Sequence, residues 1–133
     1  MLYQRPVPTS SHSQFVNITG LVRDAVVESG VRSGVVTVFV SHTTAGITIN
    51  ENADPDVTRD LLYVLDDKIP WDDPQYRHFE GNTAAHMKAS MMGNSTQVII
   101  EDGRLLLGTW QGIYFCEFDG PRQRKVHIKI LSD

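Results

Sequence analysis

The chain has 133 residues, 41% of them hydrophobic and 21% charged, with a formal net charge of −4. That length suits one domain with a real core, and the acidic balance argues against a nucleic-acid binder that works through bulk charge. A single cysteine, Cys116, rules out an intrachain disulfide; with no apolar run of the roughly 20 residues needed to span a bilayer and no signal-peptide-like start, the expectation is a cytoplasmic protein with neither membrane nor nucleic acid among its partners.

Leu2 to Val7 reads as an edge strand, because Pro6 and Pro8 suit only the margin of a sheet. Phe15 to Ile18 is a short strand. Thr19 is the expected N-cap of a helix with an apolar stripe at Leu21, Val22, Ala25 and Val26, closed by Gly30. Val35 to Ser41 is the clearest strand, rich in β-branched residues. Alternation puts Val36, Val38, Val40 and His42 on one face. The next strand, Ile47 to Glu51, puts Ile47, Ile49 and Glu51 on one face. Each apolar face therefore ends in an ionisable residue, at the rim of the core.

Asp54-Pro55 starts a second helix, with Asp54 as cap and Pro55 at the first helical position; it ends near Lys68, and Pro70 to Tyr76 is a loop. Asn82 or Thr83 caps a third helix, in which His86 and Ser90 share a face and Met87, Met91 and Met92 fill the core. Gln97 to Glu101, Leu105 to Trp110, Ile113 to Phe118 and Lys125 to Leu131 read as strands, with a hairpin at Asp102-Gly103. Cys116 shares a strand face with Tyr114 and Phe118, which implies a buried, inert thiol. Strands and helices without strict alternation predict an α+β fold: largely antiparallel sheet, two layers, two to three short helices.

Two polar runs carry the chemistry, Ser41 to Pro55 and His78 to Gly112. His42, His78 and His86 are the candidate metal ligands, since three imidazoles with an open position are the donor set of a catalytic zinc site. Glu51 and Glu80 are the candidate catalytic carboxylates, if burial raises a pKa. Thr43, Thr44, Asn52, Asn82, Lys88, Ser90, Trp110 and Gln111 are the candidate substrate-binding residues: hydroxyls and amides for hydrogen bonds, an ammonium for phosphate, an indole for stacking. Arg122, Arg124 and Lys125 either join the anion site or form a solvated turn. The geometric expectation is that both runs fold into one shared cavity.

The blocks His42-Thr43-Thr44-Ala45-Gly46-Ile47-Thr48-Ile49-Asn50-Glu51-Asn52, Glu80-Gly81-Asn82, His86-Met87-Lys88-Ala89-Ser90 and Leu107-Gly108-Thr109-Trp110-Gln111-Gly112-Ile113 together resemble the YjbQ-like family. The resemblance implies a small α+β sandwich assembled as a homotrimer, with a divalent zinc or magnesium ion as possible cofactor. It also implies secondary thiamine-phosphate synthase activity, which joins a hydroxymethylpyrimidine diphosphate to a thiazole phosphate. Two other functions compete: a metal-dependent hydrolase using the three histidines with Glu51 as base, and a non-catalytic trimeric small-ligand-binding protein; the expected small-molecule substrate is phosphorylated.

Overall fold

A computed structural model describes residues 1–133. The strands are β1 (Leu2–Pro8), β2 (Gln14–Asn17), β3 (Gly34–Phe39), β4 (Ala45–Glu51), β5 (Ser95–Glu101), β6 (Arg104–Leu105), β7 (Gln111–Glu117) and β8 (Gln123–Ser132). The helices are α1 (Thr19–Ser29), between β2 and β3, and α2 (Pro55–Lys68) and α3 (Thr83–Met92), between β4 and β5. The fold is α+β, with every strand pair antiparallel.

One sheet has the order β1-β8-β3-β5-β6 and the other β2-β7-β4. As the prolines required, β1 lies at an edge. Alternation decides which faces meet. Val36 and Val38 of β3, Val126, Ile128 and Ile130 of β8, and Ile47, Ile113 and Phe115 of the smaller sheet all belong to one core cluster, with Val22, Ala25 and Val26 of α1. Fully burying such a side chain contributes about 1.5–3 kcal/mol relative to exposure. His127 and Lys129, between the apolar residues of β8, point away from that core.

The central strand β7 is buried along nearly its whole length. Ile113 and Phe115 enter the main core, while Tyr114 and Cys116 join Phe118, Ala85 and Ala89 in a second cluster on the other face. Cys116 is sealed there, and burial pushes its thiol pKa up, so the expected inert thiol is what the fold produces.

Several local expectations are corrected. Of the run Leu105 to Trp110, only Leu105 lies in a strand, the two-residue β6, and the rest is loop. Leu106 and Trp110 are exposed, and the chain turns where the Gln111 N–H donates to the Gly108 carbonyl. Ile18, not Thr19, holds the cap position of α1. The Thr19 hydroxyl instead donates to Asn17 and accepts from the Ile113 N–H, tying α1 to β7. Met87 and Met91 are about half exposed rather than core filler. Asp54 does cap α2, accepting from the Asp56 N–H at 2.9 Å.

Candidate functional site

The connection from Val40 to Thr44 carries the chain from the larger sheet to the smaller one. Backbone bonds pin both of its sides: Val40 N–H donates to Asn94 O, and Phe118 N–H donates to Thr44 O. α3 packs on β4 because Gly46 lets it approach. A Cβ at Gly46 would lie 2.8 Å from Gly93 O and 2.9 Å from the Met92 Cβ. The small residues Ala84, Ala85 and Ala89 give α3 its buried face. His86 and Ser90, one turn apart, then face His42 and Thr43 across a cleft.

That cleft has two lobes of about 580 and about 430 Å³, which share His42, Thr43 and His86. Ser90 and Asn94 line the first. Thr44, His78, Glu80, Asn82, Arg122 and Arg124 line the second. All three predicted histidines therefore reach one site, with Glu80, Thr43, Thr44, Asn82 and Ser90. The His78 and His86 rings stand edge to face at 5.3 Å, and His78 Nε2 is 4.0 Å from a Glu80 oxygen.

His42 is held in a defined state. Its Nε2 accepts the Lys125 N–H at 3.2 Å. Burial and the nearby Arg124 charge lower its pKa from the ordinary 6.5, so the ring is neutral at pH 7 and carries its proton on Nδ1. A neutral imidazole bonded in this way is a hydrogen-bond donor at Nδ1, not a metal ligand there. Nor do the three rings converge on one point: no three His, Cys, Asp or Glu side chains form a group able to hold an ion. In this arrangement the donor set does not fit the expected catalytic zinc site.

Behind the cleft lies a buried ion pair that sequence reasoning passed over. The Glu117 carboxylate accepts from Arg124 Nε at 2.8 Å and from Arg124 Nη2, from the Thr9 hydroxyl at 2.8 Å and from the Asp119 N–H at 3.0 Å. Burial alone would push its pKa up, but these hydrogen bonds and the Arg124 charge outweigh that and hold it below the ordinary 4.5. Arg124 Nη2 also donates to the Thr44 hydroxyl at 2.8 Å. A signal was available: Glu117 is the one ionisable carboxylate within an otherwise apolar strand, where a charge needs a partner. Asp119 extends the network, accepting from Asn82 Nδ2 and from Arg122. Asn82 Oδ1 is left buried without a partner.

The remaining predicted site residues lie elsewhere. Lys88 points from the opposite face of α3 into a different hollow with His12 and Phe118; its side chain is 4% exposed, with Asp66 at 3.5 Å. Glu51, Asn52, Trp110 and Gln111 cluster at the far end of β4, roughly 20 Å along the strand from Thr44 at ~3.3 Å per residue. There the Glu51 carboxylate accepts the Asp54 N–H at 3.2 Å and its carbonyl accepts the Tyr114 hydroxyl. Trp110 is exposed. Asn52 and Gln111 line a separate cavity of about 1050 Å³. The two polar runs thus fold into two sites, not one.

Two packed antiparallel sheets, three helices and a histidine-lined cleft where the chain crosses between sheets define a small α+β class. The chain belongs to the UPF0047 protein YjbQ-like family, whose model matches residues 4–133. It is 53% identical over 132 residues to UPF0047 protein YugU of Bacillus subtilis, covering 99% of this chain and all of that one. It is 48% identical to UPF0047 protein MJ1081 of Methanocaldococcus jannaschii, over 100% of this chain and 96% of that one. The crystal structure of an uncharacterized conserved protein of the same family from Clostridium acetobutylicum superposes with a TM-score of 0.95 at 61% identity, covering 97% and 99% of the two chains. No helix is long and apolar enough to cross a membrane.

Proposed function

We propose that the histidine cleft is the catalytic centre of a transferase acting on a small phosphorylated molecule, with thiamine-phosphate synthase chemistry as the specific reaction. The observation that carries this reading is that His42, His78, His86, Glu80 and Arg122 line one open cleft. In that reaction the thiazole nitrogen forms a bond to the pyrimidine methylene carbon as the carbon–oxygen bond to diphosphate breaks, and pyrophosphate leaves. The chain's groups have matching tasks. Arg122, half exposed and held by Asp119, keeps guanidinium N–H groups free for the leaving diphosphate. Neutral His42 donates from Nδ1 to a developing oxyanion. Glu80 offers negative charge to the carbocation-like methylene. The imidazoles of His78 and His86 take the part of flat surface that Trp110, at the far end of β4, does not.

A hydrolase with Glu51 as base lacks support from this geometry, because Glu51 is not at the cleft. A zinc or magnesium ion held by groups other than the three imidazoles as arranged is a separate proposal, as is assembly into a homotrimer. The large exposed side chains of Phe79, Tyr63 and Trp110 are consistent with association, and a cytoplasmic location with the unpaired Cys116.

Purified protein is incubated with both precursors, with and without Mg²⁺, and assayed for thiamine phosphate and pyrophosphate. The reading expects turnover that His86→Asn and Arg122→Gln each reduce. Product at background under every condition would sink it. Elemental analysis of the same preparation tests the metal, and light scattering the trimer.

A further inference from the structure

The cavity at the far end of β4 has a charge pattern the histidine cleft lacks. Arg5, Arg59, Arg122 and Arg124 each have a carboxylate within ion-pair distance. Of the four that have none, Arg23, Arg32 and Arg104 all line this one cavity, and only Arg77 lies outside it. They come from separate elements: Arg23 from α1, Arg32 from the α1–β3 connection and Arg104 from β6. In a chain of net charge −4, three unpaired guanidinium groups around one hollow repel one another unless an anion lies among them. Glu101 and Asp102 stand at the same rim, yet neither forms an ion pair with any of them.

The surrounding backbone holds part of this arrangement in place. The Arg32 guanidinium lies over Gly103, where a Cβ would be 2.8 Å from Nη1, and the Arg32 carbonyl accepts the Gly103 N–H at 2.9 Å. Gly103 has φ 73°, so glycine suits both the turn and the close approach. Across the cavity, Gln111 Oε1 accepts the Gly108 N–H at 2.8 Å, which fixes the amide and leaves its Nε2 hydrogens as donors. The apolar side chains of Val27 and Leu106, 69% and 61% exposed, border the same space.

We propose that this cavity is a second ligand site, for a small phosphate ester or diphosphate with an apolar body. The guanidinium groups take the phosphate oxygens in bidentate pairs, Gln111 Nε2 donates to a further oxygen, and the apolar part lies on Leu106 and Val27. The site does not depend on the histidine cleft being catalytic.

Pyrophosphate is titrated into the full chain by calorimetry, with citrate as an anion of similar charge that lacks phosphorus. The expected result is saturable pyrophosphate binding tighter than citrate binding. Arg23→Gln, Arg32→Gln and Arg104→Gln each weaken it about tenfold, the loss of one charge-assisted hydrogen-bonding group. His86→Asn leaves this arginine-dependent binding unchanged, whatever it does to pyrophosphate held in the histidine cleft. In the unaltered protein, the Nε–Hε resonances of these three arginines shift with the same saturation curve, a readout that needs no variant. Absence of saturable binding at millimolar pyrophosphate would overturn the site. So would binding abolished by His86→Asn but indifferent to the arginine changes, which locates the anion in the histidine cleft. Citrate binding as tightly as pyrophosphate would overturn the phosphate class.

Discussion

Two polar regions meet at Thr44, and they differ in how completely their hydrogen bonds are made. On the buried side, the Glu117 carboxylate accepts from Arg124, the Thr9 hydroxyl and the Asp119 N–H, and Arg124 Nη2 also donates to Thr44. On the cleft side, Asn82 Oδ1 has no partner, and the His78 and His86 rings are bonded through neither nitrogen to any near residue beyond the 4.0 Å approach to Glu80. The first region is a brace that holds the crossing between sheets. The second is a surface of groups available to something else. Saturation, more than residue type, separates structure from function here.

The largest test breaks the brace. Glu117→Ala strands a buried guanidinium, and removal of one partner of such a pair costs about 3–5 kcal/mol. Urea unfolding should show a loss of that order. Replacing both partners, as Glu117→Leu with Arg124→Met, should cost much less, because the expensive species is the unpaired charge rather than the missing pair. A double-variant cost equal to the Ala variant would mean that the pair itself, not its completeness, matters.

Acid probes the same brace without mutation. The folded pKa of Glu117 lies below its ordinary 4.5, so the folded state binds the proton less readily than the unfolded one. The contribution is complete above pH 4.5 and is lost as pH falls through the folded value. Thermal melts at descending pH should steepen their decline below 4.5 in the parent and less so in the Leu/Met double variant.

A third test moves the boundary between the regions. Gly46→Ala places a Cβ against Gly93 O and the Met92 Cβ. Since one contact is backbone, α3 must shift, at a cost of about 1–3 kcal/mol by the usual range for overpacking. The shift carries His86 away from His42, so activity should fall further than stability. Equal stability with undisturbed activity would mean that α3 is not seated by that glycine.

How much of this was legible beforehand follows from the same contrast. Period-2 alternation located Val36, Val38, Val40 and the rim position of His42, because that signal is local. Asp54-Pro55 and Asp102-Gly103 were legible for the same reason: each is a turn chemistry contained in two residues. That His42 would line one cleft with His78 and His86 was also anticipated, although it comes from the other polar run. Which end of β4 a residue occupies was not legible. Glu51 and Asn52 follow Thr44 closely in sequence, but an extended strand separates them by its whole length. The run Leu105 to Trp110 misled because β propensity describes a half-buried surface, and no strand was there to pair with it beyond Leu105. Glu117 escaped notice because its partner Arg124 lies across a turn and pairs by tertiary packing rather than by any spacing rule.

The smallest expected change in stability, and the sharpest functional contrast, is at the histidines themselves. His86→Asn removes a half-buried ring that braces nothing, so stability should stay within about 0.5 kcal/mol, as for substitutions away from tightly packed features. If the cleft is catalytic, turnover should nevertheless fall by about tenfold or more, because the flat face that positions the substrate is lost. His42 should behave differently, because it touches both regions. Its pKa is lowered first by burial and then by Arg124, so its neutral form is favoured by folding. That contribution is present above pH 6.5 and declines as pH falls through the lower folded value. An NMR titration should find His42 protonating below the ordinary 6.5. In Arg124→Met with Glu117→Leu, the charge of Arg124 is gone but burial remains, so the His42 pKa should rise only part of the way back. Full return to 6.5 would mean that the brace, rather than desolvation, keeps this imidazole neutral and ready to donate from Nδ1.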